Sequence, residues 1–187
     1  MKPQSWPILT DDDRAAVARV LDRGVLSGAG APEMRALEAE FAATVGARFC
    51  LATNSGTSAL HIALAAARVG PGDGVIVPAL SFIATAQAVL HQGAIPVFAD
   101  IDPVTYNIDP TDAARRVTPL TRVIVPVHLH GLPADMGAID ALAQGAGLTV
   151  IEDAAQAHGA LYKGSAVGTL GAMAVFSLNS TKNLPAG

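Results

Sequence analysis

The spacing of apolar residues changes period along the chain. Met34, Leu37, Phe41 and Val45 recur at helical spacing. Pro32 suits the first turn of that helix, where its missing N–H costs nothing. Gly46 suits its left-handed end. An earlier helix starts after Thr10, a good N-cap, with Asp11, Asp12 and Asp13 in the first turn, and stops near Gly24. Trp6 and Pro7 lie in an extended lead, and residues 24–30 form a glycine-rich loop. From residue 49 onward, short strand-like runs alternate with helical segments. Strands are expected at 49–53, 74–77, 95–99, 122–129, 148–151 and 174–178. Helices are expected at 57–68, 84–92, after Asp109-Pro110, and at 136–144. Repeated βα units imply an α/β fold, a mostly parallel sheet flanked by helices.

Composition sharpens this picture. The 187 residues are 51% hydrophobic and only 15% charged, which fits a sheet buried on both faces, with a further apolar surface left for a partner. Net charge is −4 with no basic run, which argues against a nucleic-acid partner. One cysteine, Cys50, excludes an internal disulfide and fits a reducing, cytoplasmic setting. The first residues carry no apolar segment of the signal-peptide type. Residues 74–99 lack Asp, Glu, Lys and Arg. Pro78, Gln87, His91, Gln92, Gly93 and Pro96 interrupt them, so they read as strand, helix and strand rather than a membrane span.

The candidate chemistry gathers where strands end. Thr149, Val150 and Ile151 run into Glu152 and Asp153, and a later apolar run leads to Lys182. Ligands of open α/β sheets bind outside the carboxyl ends of the strands. Thr53-Asn54-Ser55-Gly56-Thr57-Ser58 joins a strand to a helix, where free N–H groups and hydroxyls can cradle a phosphate. Phe82 follows another strand end and offers a flat face for stacking. Residues 28–33 are not a dinucleotide loop, because Glu33 stands where a third glycine is needed. His128 and His130, two apart on an expected strand, would face the same side and could hold a metal with Asp135 or Asp153. That arrangement would make a metal-dependent hydrolase. His158 is either a partner of Asp153 or a satisfied buried histidine, and Lys163 beside Gly164 reads as solvated. A phosphate cradle, a stacking ring, a carboxylate for a ring nitrogen and an amine for an aldehyde together meet the needs of pyridoxal 5′-phosphate (PLP).

Five stretches in order, NSGTSALHIAL, VGPGDGVIVPALSFIATAQAVLHQGAIPVFADID, VHLHGLPADM, EDAAQAHGALYKG and FSLNSTKNLPAG, resemble motifs of the DegT/DnrJ/EryC1/StrS sugar aminotransferases. These are PLP enzymes of fold type I, the aspartate aminotransferase-like large domain. The resemblance runs from Trp6 to Gly187 and corresponds to the first half of a family member. It implies that Gly56, Thr57 and Ser177 bind the PLP phosphate and that Phe82 stacks on the ring. Asp153 would pair with the pyridine nitrogen, Gln156 would lie beside the ring, and Lys182 would form the Schiff base. The catalytic pair would be Lys182 and Asp153, with no metal. The presence of Lys182, where a dehydratase branch has histidine, favours transamination. Departures are His130-Gly131-Leu132, where Tyr-Gly-Gln is usual, and Ser81, where Thr is usual.

The expected activity is ping-pong transfer of an amino group from glutamate or glutamine to a ketone on a nucleotide-linked sugar or a cyclitol. Residues 1–30 are expected to be an arm and first helix, and residues 31–187 a partial PLP-binding domain. The small C-terminal domain of such enzymes is expected to lie outside this chain, which stops five residues after Lys182. Family members act as homodimers with shared active sites, so a non-catalytic half that needs a partner is the second reading.

Overall fold

The computed structural model describes residues 6–28 and 30–186. The start of the lead, Ala29 of the glycine-rich loop and the final Gly187 lie outside the described residues. Contacts divide the chain into two compact units, Met1–Ala52 and Thr53–Gly187.

The first unit holds α1 (Asp11–Arg23) and α2 (Pro32–Val45). Thr10 and Asp13 form a reciprocal capping box at the start of α1, and Gly24 closes it at φ 73°. Pro32 stands in the first turn of α2, and Gly46 ends it at φ 85°. Residues 49–53 join no ladder among the described residues, with Phe49 85% and Leu51 70% exposed. The strand expected there is therefore not formed.

The second unit is a five-stranded sheet with helices on both faces. Its strands are β1 (Gly74–Pro78), β2 (Ile95–Ala99), β3 (Thr121–Ile124), β4 (Thr149–Asp153) and β7 (Met173–Val175), in the order β2-β1-β3-β4-β7. All these pairs are parallel. Helix α3 (Gly56–Ala66) precedes β1, and α4 (Ala84–His91), α5 (Pro110–Arg116) and α6 (Met136–Ala146) fill the crossovers that follow. Val75, Val77, Val123 and Ile151 pack with Leu60, Leu64 and Val89 of α3 and α4 on one face. Ile76, Ile124 and Val150 pack with Ala113, Met136 and Ile139 of α5 and α6 on the other. Two-sided burial explains why β1 carries no charge, since an ion in either layer would need a partner; the edge strand β2 leaves Ile95 and Phe98 each 51% exposed. No helix among the described residues is long and apolar enough to cross a membrane.

Two boundaries differ from expectation with a physical cause. The strand expected at 122–129 stops at Ile124, because Pro126 lacks the N–H to continue the ladder. Val127 regains a single parallel bridge to Asp153, and residues Leu129–Gly131 then turn as a 3-10 helix. His130 sits there at φ 54°, so His128 and His130 do not share a strand face. A short antiparallel hairpin, β5 (Leu161–Tyr162) and β6 (Ser165–Ala166), turns through Lys163 and Gly164 at positive φ. It follows β4, between the two glycines 159 and 168 that also adopt positive φ.

β4 and β7 meet at a tight seam. A Cβ on Gly171 would stand 2.9 Å from the Val150 carbonyl oxygen and 3.2 Å from Val150 Cγ1. The obstacle is backbone, so it cannot swing aside. Gly171→Ala is expected to cost about 1–3 kcal/mol, typical of overpacking. A lower urea midpoint with an unchanged slope would show it; an unchanged midpoint would mean the seam is looser than its geometry.

Candidate functional site

Consecutive strand residues face opposite sides. At the end of β4 this sends Glu152 toward the α5/α6 face and Asp153 toward the α3/α4 face. Both are buried, at 0% and 4% exposure. They are compensated very differently.

Glu152 is saturated. Its Oε2 accepts from Gly168 N at 2.9 Å and lies 3.0 Å from His128 Nε2. Its Oε1 accepts from the Leu170 and Gly171 N–H groups, both at 2.8 Å. Burial pushes this carboxyl up, but the His128 and backbone hydrogen bonds outweigh it and hold the net value below the ordinary range. His128 is equally committed. Its Nδ1 accepts from Ala134 N at 3.0 Å, so the ring proton must sit on Nε2 and point at Glu152. A fully buried ring with both nitrogens engaged has no lone pair for a metal. His130 is exposed in the following turn, and no group of three or more metal-ligating side chains forms among the described residues. The metal-hydrolase arrangement of His128 and His130 with Asp135 or Asp153 is therefore corrected. Asp135 instead caps α6 and accepts from Tyr162 Oη at 2.6 Å.

Asp153 is left with fewer donors. Its Oδ2 accepts from Thr85 Oγ1 at 2.8 Å, and its Oδ1 from Ala155 N at 3.2 Å. Burial is the largest influence and pushes its carboxyl above the ordinary range. The two hydrogen bonds and the charge of Lys182 oppose it. An under-compensated buried carboxylate is a place where a cationic partner would gain. His158 does not fill that role: its ring packs on Phe176 with centroids 5.3 Å apart. Desolvation, then the Lys182 charge, lowers its pKa.

Of the other expected residues, Gly56 meets Ser177, Gln156 and Lys182 line one cleft, and Phe82 is tied to Thr85, which holds Asp153. Gly56 and Thr57 open α3, capped by Ser55 Oγ, which accepts from Ser58 N at 3.1 Å. Their N–H groups are the first two of the helix and have no intrahelical acceptor. A Cβ on Gly56 would stand 3.2 Å from Ser177 Cβ, so this glycine lets the helix start approach Ser177 closely. Ser177 is buried two residues past β7. Phe82 is 65% exposed, not core, and its carbonyl accepts from Thr85 N at 3.1 Å. That ties the exposed ring to the turn that carries the Asp153 contact. Gln156 Oε1 accepts from His130 N at 2.8 Å. Gln156, His130, Thr181, Lys182 and Asn183 line an open cleft of about 330 Å³. Asn179 shapes the lysine turn: its Oδ1 accepts from Thr181 N and Thr181 Oγ1.

Thr85 is absent from the sequence-based set. Its only local signal is a lone hydroxyl, with Ser81 four residues earlier, among the buried Ala84, Ala86, Ala88 and Val89 of α4.

Comparison with known proteins gives a consistent result. The DegT/DnrJ/EryC1/StrS aminotransferase family matches residues 7–187. A UDP-N-acetyl-3-dehydro-alpha-D-glucosamine 3-aminotransferase of Acidithiobacillus ferrooxidans is 48% identical over 180 residues, 95% of this chain and 48% of that protein. The X-ray structure of an aminotransferase from Psychrobacter cryohalolentis superposes with a TM-score of 0.96 at 43% identity, covering 98% of this chain and 47% of that one. NtdA of Bacillus subtilis, solved with the cofactor PMP bound, gives a TM-score of 0.85 at 36% identity, over 95% of this chain and 40% of that one. The chain spans about half the length of the curated relatives it matches. With a parallel sheet of the same architecture and a family match from residue 7 to residue 187, the chain belongs to the DegT/DnrJ/EryC1/StrS aminotransferase family.

Proposed function

We propose that this chain is the cofactor-binding part of a PLP-dependent aminotransferase. It would act on a ketone carbon of a nucleotide-linked sugar or cyclitol, with glutamate or glutamine as donor. The observation that carries the reading is the buried Asp153, held by Thr85 and in the field of Lys182. The residues fit the group in three further respects. The α3 start offers two free N–H groups and a glycine pressed against Ser177. Phe82 presents an exposed aromatic face. Lys182 and Gln156 line one cleft. The UDP-linked 3-dehydro sugar named for the Acidithiobacillus relative supports a nucleotide-sugar acceptor.

PLP, when bound, supplies an aldehyde that exchanges amines and a pyridinium that accepts electrons. The chain's own residues have separate tasks. Gly56 and Thr57 N–H groups, with the Thr57 and Ser177 hydroxyls, hold the phosphate. Asp153 keeps a proton on the ring nitrogen, and Phe82 covers one ring face. Gln156 orients the ring from the cleft wall, where His130 N–H fixes its amide oxygen. Lys182 anchors the cofactor through Nζ, then takes and returns protons at that atom during amino transfer. The working enzyme is a cytoplasmic homodimer whose active sites are completed by the partner subunit and the remaining half of the protein.

The first test is PLP added to the purified chain, with near-visible absorbance, borohydride reduction and peptide mapping. The label is expected on Lys182. In the complete enzyme, Lys182→Ala should lower amino transfer by about 10²–10⁴-fold or more. A retained reducible band in that variant would refute the anchor, and no band in the wild type would favour a half that binds only with its partner.

Asp153 also yields a stability prediction. Its folded pKa is raised, so the folded chain binds this proton more tightly than the unfolded chain. Stability therefore falls as pH rises from the unfolded value, about 3.9, through the raised folded one. Asp153→Asn removes that penalty. The cofactor-free variant should be more stable than wild type at neutral pH, with the gap closing at acid pH, while kcat drops about a hundredfold or more. Urea titrations at both pH values check the first part; a gap that widens in acid would contradict it.

A further inference from the structure

Behind Asp153 stand two hydroxyls in a row. Thr85 Oγ1 lies 2.8 Å from Asp153 Oδ2, and Ser81 Oγ lies 2.8 Å from Thr85 Oγ1. Thr85 is 2% exposed and Ser81 half-buried. A hydroxyl has one proton to give, and an ionised carboxylate only accepts. With Asp153 charged, the Thr85 proton is committed to Asp153. The contact between the hydroxyls must then be filled by the Ser81 proton. Both bonds have a fixed direction, from Ser81 to Thr85 to Asp153. If Asp153 takes a proton, it can donate to Thr85 and the row can reverse. Hydrogen bonds to a charged acceptor are about twice as strong as neutral ones, so the row favours the ionised carboxylate.

We propose that Ser81 and Thr85 form a hydroxyl relay that keeps Asp153 ionised and correctly oriented, with Thr85 the positioning residue and Ser81 its outer member. The consequence for catalysis rests on the cofactor reading above; the relay itself does not. Among the described residues, Thr85 supplies the side-chain hydrogen bond to Asp153. The titratable groups acting on Asp153 are Lys182 and His128. His128 already spends both ring nitrogens on Ala134 and Glu152. The Ala155 N–H occupies the other carboxylate oxygen at a longer 3.2 Å. The same turn holds Phe82 through the Thr85 N–H, so one element sets both the carboxylate and the exposed ring.

The relay is tested first without cofactor. The carboxyl carbons of Asp are labelled with carbon-13 in the full chain, and Asp153 is assigned by its loss in Asp153→Asn. Its titration is then compared across Thr85→Val, Thr85→Ser and Ser81→Ala. The midpoint should move to higher pH in Thr85→Val, move less in the same direction in Ser81→Ala, and stay near wild type in Thr85→Ser. An unmoved midpoint in Thr85→Val, or equal shifts in Thr85→Val and Thr85→Ser, would overturn the relay. If Thr85→Val fails to fold, Ser81→Ala decides, because it leaves the buried threonine in place; no shift there overturns the proposal. In a second arm, Thr85→Val should bind PLP about tenfold more weakly, as loss of one charge-assisted bond implies. Failure of the wild type to take up PLP would bear on the functional reading alone, favouring a half that binds only with its partner, and leave the titration result standing.

Discussion

Two carboxylates at consecutive positions of one buried strand cannot be treated alike, and the rest of the second unit follows from that constraint. Alternation sends Glu152 and Asp153 to opposite faces of the sheet. Each must be compensated or neutralised, since a lone buried carboxylate is expensive. On one face, Glu152 draws in Gly168, Leu170, Gly171 and His128 and is fully spent. It pins the segment leading into β7 and, through His128 and Ala134, the entry to α6. On the other face, Asp153 receives one hydroxyl and one amide. The first carboxylate builds; the second is left able to act.

That asymmetry explains where the site lies. β4 sits between β3 and β7, so its carboxyl end is flanked by the loops that follow both neighbours. The loop after β3 brings His130 to Gln156, and the segment after β7 brings Ser177 and Lys182. The start of α3 reaches Ser177 only because Gly56 has no Cβ. A small side chain at one helix start and a hydroxyl after one strand thus bring distant parts of the chain to a common edge.

The same frame explains why a histidine pair that looks like a metal site is not one. Sequence spacing of two implies a shared face only while the strand continues. Pro126 interrupts the ladder and His130 turns into the left-handed region, so the pair splits between a buried hydrogen-bond network and an exposed turn.

The sequence by itself determined what depends on neighbours along the chain. The capping box at Thr10, the helix ends at Gly24 and Gly46, and the helix starts at Pro32 and Pro110 are local steric and hydrogen-bonding choices. So is the two-sided burial of β1, written in its charge-free run of residues 74–78. The five stretches that resemble the family are likewise runs of consecutive residues, and the family match over residues 7–187 bears them out. Only the tertiary structure decided which polar groups meet. Thr85 and Asp153 are 68 residues apart, and His128 and Glu152 are 24 apart. Their pairing depends on strand register and on which face of β4 each carboxylate takes. Residues 49–53 make the same point in reverse: an apolar run alone does not make a strand, because a ladder needs a second chain segment to accept its hydrogen bonds.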